Sequence, residues 1–285
     1  MIPADVSPVS LATADFNRDG YLDLAIVSSV SSSGVAVRLG KGKGSFLPPV
    51  HFAVGRQPYA VAVGDLNFDG NADLVVANSL DDTISALLGN GDGTFQTAKT
   101  FSTGNNPIGV ALGDFNGDGV LDVVTASTGV TVLLGNGDGT FQPGLDVDSE
   151  GAYSAAAGDF NGDGKLDLVV GQTFGFGSQG VAHVLIGNGD GTFEAGGYYS
   201  LHVSTPYSIA VGDLNHDGRQ DLAVSTFDPG VDVFLGRGDG TFRSAAVYPS
   251  LCSSYGVVIA DFNRDGKPDL AVAGFCTPGY MSVLS

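Results

Sequence analysis

A nine-residue pattern, Asp-x-Asn-x-Asp-Gly-x-x-Asp, occurs six times, in the loops 15–23, 65–73, 114–122, 159–167, 213–221 and 261–269. Its first aspartates are 50, 49, 45, 54 and 48 residues apart. No other feature constrains the fold as tightly. A unit that recurs at this spacing is one supersecondary structure, able to bury its apolar side only against copies of itself.

The pattern is also chemical. Oxygen-bearing side chains stand at positions 1, 3, 5 and 9, around a Gly at position 6 that permits a sharp turn, and this suits a hard cation. In the first loop the side-chain donors would be Asp15, Asn17, Asp19 and Asp23, with the carbonyl of Tyr21 at position 7. The second offers Asp65, Asn67, Asp69, Asp73 and the carbonyl of Asn71, and the third Asp114, Asn116, Asp118, Asp122 and that of Val120. The fourth has Asp159, Asn161, Asp163, Asp167 and Lys165. In the fifth and sixth they are Asp213, Asn215, Asp217, Asp221 and Arg219, then Asp261, Asn263, Asp265, Asp269 and Lys267. All-oxygen ligation argues against zinc and copper, and loose geometry favours calcium over magnesium. An EF-hand needs Glu at position 12 between helices, whereas here that position is Ile26, Val76, Thr125, Val170, Val224 or Val272. Asp, Asn and Gly also make tight turns without metal, but a turn alone does not require the aspartate at position 9. Up to six structural calcium ions are therefore expected.

The net charge of −19 follows from the same loops. They hold three aspartates each, eighteen of the 31 acidic residues, and six divalent ions would bring the charge to −7. Such a surface disfavours nucleic acid or an anionic membrane as partner. No apolar run reaches the roughly 18 residues that cross a bilayer, so no membrane insertion is expected. The first residues lack the pattern of a signal peptide.

Each repeat reads as four short strands without helix: one before the loop, one after it, a third ending in a Gly-rich turn such as Gly89-Asn90-Gly91-Asp92-Gly93-Thr94-Phe95, and a variable fourth. The first strand alternates by size, with small residues one, three and five positions before the loop Asp and larger ones between, which suits close packing of successive first strands. A period of 40–50 residues with four strands predicts an all-β fold, a single β-propeller over residues 1–285 with six four-stranded blades. The last repeat stops at its third strand, so residues 1–7 are expected to complete it; the alternative is a fragment of a seven-bladed propeller.

These repeats resemble the FG-GAP/VCBS type, the calcium-loop repeats of the integrin α-subunit propeller and of some secreted bacterial proteins and fungal lectins. The resemblance spans essentially the whole chain and rests on the Asp-x-Asn-x-Asp-Gly-x-x-Asp loops and on Leu-Gly-Asn-Gly-Asp-Gly-Thr-Phe at 134–141. The chain departs from it in lacking Phe-Gly-Gly-Ala-Pro, in carrying the loop in every repeat, and in showing six repeats where integrins have seven. It implies a calcium-stabilised, extracellular recognition or adhesion module, a monomer taking a glycan or protein ligand.

Function is expected on the face away from the loops. Tyr59, Tyr153, Tyr207 and Tyr255 all stand six positions before a loop Asp, at the start of the first strand, and Phe174, Phe176, Phe227 and Phe275 lie in connections reaching the same face. Such aromatics either stack a sugar or peptide or pack between repeats. Cys252 and Cys276 sit at offsets that bring them together across the last hairpin, so a disulfide is expected. The Gly-Asn-Gly-Asp-Gly turns read as hairpin turns, with Asp92 an alternative metal donor, and Arg237-Gly238-Asp239 reads as a drifted copy of one. For catalysis, only His202, near Tyr198, Tyr199 and Tyr207, offers an acid–base group, of the kind a polysaccharide lyase or dehydratase uses. A scaffold domain without a ligand is the remaining alternative.

Overall fold

The computed structural model describes residues 8–29, 34–148, 150–173, 179–202, 205–275 and 280–284. They form strands, turns and bends and no helix, so none is long and apolar enough to cross a membrane. The chain divides into two compact units, one of residues 1–114 with 118–149, the other of 115–117 with 150–285.

The first unit holds three antiparallel four-stranded sheets. They are β1 (Pro8–Ala14), β2 (Asp23–Ser28), β3 (Val35–Arg38) and β4 (Val50–Phe52); β5 (Pro58–Gly64), β6 (Asp73–Asn78), β7 (Thr83–Leu87) and β8 (Lys99–Ser102); and β9 (Gly109–Gly113), β10 (Asp122–Ala126), β11 (Val130–Leu133) and β12 (Leu145–Asp148). The second unit holds β13 (Ala152–Gly158), β14 (Asp167–Thr173), β15 (Gly180–Gly187) and β16 (Phe193–Ser200) in one sheet. Its other sheet has six strands: β17 (Pro206–Gly212), β18 (Asp221–Thr226), β19 (Pro229–Phe234), β20 (Ala246–Ala260), β21 (Asp269–Phe275) and β22 (Tyr280–Leu284). Repeats five and six are thus joined where four-stranded sheets were expected. β20 serves as fourth strand of one and first strand of the next, and Ser253 pairs with Pro229 on one side and Phe275 on the other. The expected completion of the last repeat by residues 1–7 lies outside the described residues.

The cores lie between sheets. Val27, Val35 and Val37 pack with Leu74, Val76 and Leu87 in the first unit, and Val169, Ala182 and Val184 with Leu222, Val224 and Phe234 in the second. The size alternation of the first strands has the expected consequence. A Cβ on Gly64 would fall 3.0 Å from Leu112, and one on Gly158 3.0 Å from Val211, so the small residue admits the next repeat's bulky one.

A second device joins successive repeats within each unit. Gly93 N–H donates to the carbonyl of Phe16 at 2.9 Å, and the Phe95 ring meets Phe16 edge-on at 5.4 Å. Gly139 does the same to Leu66, Gly191 to Phe115 and Gly240 to Phe160, at 3.2, 3.0 and 2.9 Å. Phe193 and Phe242 then pack edge-on to Phe115 and Phe160, while Phe141 shares a core with Leu66. The Gly-rich turns of repeats two to five thereby plug onto position 2 of the preceding loop. A side chain at Gly93 would strike Leu39 at 2.8 Å, so only Gly allows the approach.

Candidate functional site

Each loop is folded around its own carboxylates. In the first, Oδ1 of Asp15 accepts the N–H of Asp19 at 3.1 Å and Oδ2 that of Gly20 at 2.8 Å. Oδ1 of Asn17 accepts the same Asp19 N–H at 3.1 Å, and Oδ1 of Asp19 accepts that of Tyr21 at 2.9 Å. The second, fifth and sixth loops repeat these bonds at Asp65, Asn67 and Asp69, at Asp213, Asn215 and Asp217, and at Asp261, Asn263 and Asp265. In the third and fourth, Asp114 accepts from Gly119 and Asp159 from Gly164, while Asp118 and Asp163 accept from Val120 and Lys165. Oxygens at positions 1 and 3 thus converge on one point.

Two residues per loop have positive φ. Gly at position 6 was expected to, and does so from Gly20 to Gly266. Position 4 does so as well: Arg18, Phe68, His216 and Arg264 lie at φ of 58, 60, 59 and 62°, and Gly117 and Gly162 at 76°. The signal was present, since two of the six copies have Gly there. A non-glycine residue pays a steric penalty in this region.

Position 9 departs from the expectation that a turn gives its aspartate nothing to do. Asp23, Asp73, Asp122, Asp167 and Asp221 are fully buried and Asp269 is nearly so. In Asp73, Oδ2 accepts the N–H of Leu66 at 2.8 Å, and Oδ1 that of Gly89, the start of the Gly-rich turn, at 2.7 Å. Asp23, Asp167 and Asp221 do the same for Phe16 and Gly40, Phe160 and Gly187, and Leu214 and Gly236. The residue is a buried tie between loop and turn, a role that needs no metal, because a buried amide must find an acceptor. Burial pushes the Asp73 carboxyl up to about 6 against the pull of these amides, and the charges of Asp69 and Asp65 push it further the same way. Asp167 and Asp221 are raised by the same causes.

Among the described residues, no group of three or more His, Cys, Asp or Glu side chains stands together as a metal centre. The donor set nevertheless fits a hard cation in kind, being carboxylates, an Asn oxygen and a backbone carbonyl. The repulsion of Asp73 by Asp65 and Asp69 is a cost that a cation among them would remove.

The Gly-rich turns hold to the hairpin reading. Oδ1 of Asp92 accepts the N–H and hydroxyl of Thr94, at 2.9 and 2.5 Å, and Asp138, Asp190 and Asp239 do likewise for Thr140, Thr192 and Thr241. These bonds hold the four carboxyls below the usual range. Arg237 donates to the carbonyl of Phe242 at 2.7 Å, so Arg237-Gly238-Asp239 is an ordinary turn of this type.

At the other end of the hairpins, the tyrosine position coincides with a break in strand pairing. The register shifts between Pro58 and Ala60, Ala152 and Ser154, Pro206 and Ser208, and Ser254 and Gly256. Tyr59, Tyr153, Tyr207 and Tyr255 are each the extra residue of a bulge, a device that re-aims a side chain. Tyr207 and Tyr255 stack at 4.3 Å with an interplanar angle of 21°, and Phe227 lies 6.3 Å from Tyr207. Tyr255 is 43% and Phe227 47% exposed, while Tyr207, Tyr59 and Tyr153 are half-buried. Phe174 and Phe176 lie outside the described residues, as does Cys276; Cys252 is disulfide-bonded.

His202 has a partner that the sequence reading missed. Its Nδ1 lies 2.6 Å from Oδ2 of Asp232, which is fully buried on β19 and whose carboxyl burial raises. Among the described residues Nε2 is buried without a hydrogen bond, and a Cβ on Gly230 would lie 3.0 Å from it. The expected tyrosine partners are elsewhere: the Tyr199 hydroxyl accepts the N–H of Phe242, and Tyr198 stacks on His183 at 3.9 Å. The atom that would move a proton has no open approach.

Comparison with known proteins agrees with this architecture. No curated protein sequence matches the chain. Among solved structures, an Agrocybe aegerita lectin recognising non-reducing terminal N-acetylglucosamine superposes with a TM-score of 0.62 at 22% identity, covering 96% of this chain and 79% of its own. BBS1N, solved in complex with ARL6DN and soaked with lead, gives 0.64 at 14% identity over 98% and 80%. Models of the FG-GAP-like repeat match residues 15–76, 66–125, 123–170, 173–224 and 213–272. The chain belongs to the FG-GAP-like repeat family and has a β-propeller fold.

Proposed function

We propose that this protein is an extracellular recognition module, a single propeller that binds carbohydrate on its aromatic end and uses calcium to fasten the loop end. The stack of Tyr207 on Tyr255, with Phe227 beside it, carries the reading. The exposed rings of Tyr255 and Phe227, on either side of the half-buried Tyr207, present apolar surface, and the C–H face of a sugar ring packs on such a surface. The likeness to a lectin supports carbohydrate over protein as ligand. Calcium is supported by the donor set and by the mutual repulsion of the loop carboxylates. A disulfide at Cys252 suits an oxidising compartment, where calcium is also plentiful.

The test is a glycan array probed with the intact chain and with Tyr255→Ala and Phe227→Ala. At least a tenfold loss of binding to a captured glycan, with unchanged melting temperature, is expected. Equal binding by all three proteins, or capture of no glycan, counts against the reading.

A further inference from the structure

The tetrapeptide Asn-Gly-Asp-Gly occurs five times, beginning at Asn90, Asn116, Asn136, Asn161 and Asn188. Three copies lie in the Gly-rich turns, while Asn116 and Asn161 stand at position 3 of the third and fourth loops. An Asn followed by Gly is open to attack by its own backbone. The amide nitrogen of the Gly can reach Cγ of the Asn, because no side chain on that next residue stands in the way. The local sequence is the same in every copy, so any difference between them belongs to the fold.

Around Asn161 the fold favours this attack. The N–H of Gly162, whose nitrogen is the nucleophile, donates to Oδ1 of Asp159 at 2.7 Å, so an acceptor for its proton is in place. Oδ1 of Asn161 accepts the N–H of Asp163 at 2.9 Å, where negative charge develops as Cγ becomes tetrahedral. Among the described residues no hydrogen bond holds Nδ2 of Asn161, the group that must leave.

The turn copies are arranged the other way. Nδ2 of Asn90, Asn136 and Asn188 donates to the hydroxyl of Thr94, Thr140 and Thr192, at 2.8, 2.9 and 2.9 Å, so the leaving amide is held. Among the described residues no N–H donates to Oδ1 of these three, and the N–H groups of Gly91, Gly137 and Gly189 find no acceptor. The first, second, fifth and sixth loops are protected differently. Arg18, Phe68, His216 and Arg264 follow the Asn there, and Nδ2 of Asn17, Asn67, Asn215 and Asn263 donates to the position-5 carboxylate at 2.9–3.2 Å. Exposure alone would choose otherwise, since the three turn asparagines are exposed and Asn161 is half-buried.

We propose that Asn161 is a modification site, deamidated by its own loop. The Gly162 nitrogen bonds to Cγ, the Cγ–Nδ2 bond breaks, and Nδ2 leaves as ammonia with the proton that Gly162 gives up. Water then opens the cyclic imide at one carbonyl or the other, leaving aspartate or isoaspartate at position 161. Either product adds a negative charge among Asp159, Asp163 and Asp167, and isoaspartate also lengthens the main chain of the loop by one carbon. The reaction thus alters the fourth loop and leaves the turns intact.

The experiment incubates the 285-residue protein for several weeks at neutral pH in EDTA, so that the outcome does not depend on metal at the loop, and maps its peptides by mass spectrometry. Deamidation at 161 is expected to run about tenfold or more ahead of that at 90, 136 and 188. In urea, with the fold removed, these four sites should react at similar rates. Gly162→Arg, which installs the residue that the first and sixth loops carry at this position, should abolish the reaction at 161. Turn sites that keep pace with 161 in the folded protein, or a lead for 161 that persists in urea, would overturn the assignment.

Discussion

Asp73 and Gly89, sixteen residues apart, are joined by a 2.7 Å bond from the Gly89 amide to one carboxylate oxygen, while the other oxygen holds Leu66. A single buried side chain so closes the loop and anchors the turn that plugs the neighbouring repeat. The fold of each repeat and the contact between repeats depend on one carboxylate.

Asp73→Ala is expected to cost on the order of 4 kcal/mol, since it strands two buried amides at 1–3 kcal/mol each. Asp65→Ala, at the more exposed position 1, should cost less in EDTA and more in calcium. Urea unfolding of both variants in the two buffers checks this. A loss for Asp73→Ala that vanishes in EDTA would show that the metal, rather than the amides, is its partner.

The raised carboxyls give a pH dependence. Asp73 titrates near 6 in the folded protein against 3.8 as its ordinary value, so its proton is held more tightly in the folded state. Its contribution is fully present below about 4 and is lost as pH rises through about 6; Asp167 and Asp221 act in the same direction. In EDTA these groups should lower the melting temperature between pH 4 and 6.5. Millimolar calcium should flatten or reverse the slope by neutralising the cluster. A thermal-shift series in both buffers reads it, and a melting temperature that climbs over this range in EDTA would contradict it.

Arg264 sits at φ 62°, where Gly117 and Gly162 stand in other copies. Arg264→Gly should stabilise the chain by about 0.5–1 kcal/mol through relief of left-handed strain, net of glycine's entropy. Arg264→Val should destabilise it by more than that. Denaturant midpoints of the two variants should move in opposite directions.

Leu66 and Leu214 occupy the same position under different cover. Leu66→Ala should cost about 2–4 kcal/mol, because its cavity is sealed by Phe141 and cannot refill. Leu214→Ala, open to the cavity beside His216, should cost less than half as much. Comparable losses would mean that the fifth loop is as fully packed as the second.

Much of this was open to inspection in the residues. The sixfold loop gave the repeat and the all-β class, the small first-strand residues predicted close packing, and Asp92 and Arg237 fell where turn chemistry put them. The role of position 9 was not legible, because its amide partners lie 7 residues before it and 13 to 20 after it. The Asp232 partner of His202 is 30 residues away and in no motif. Tyr207 and Tyr255 could be aligned in sequence, but their stacking depends on bulges that a period-two reading of a strand does not contain.

The sequence by itself determined the repeat, its strands and the kind of atom each loop presents, because these follow from local periodicity and side-chain chemistry. Only the tertiary structure decided what those atoms do. Whether a carboxylate meets a backbone amide, or a leucine a neighbouring ring, depends on which repeat packs over it: Leu66 is covered in a core with Phe141, while Leu214 is only half-buried.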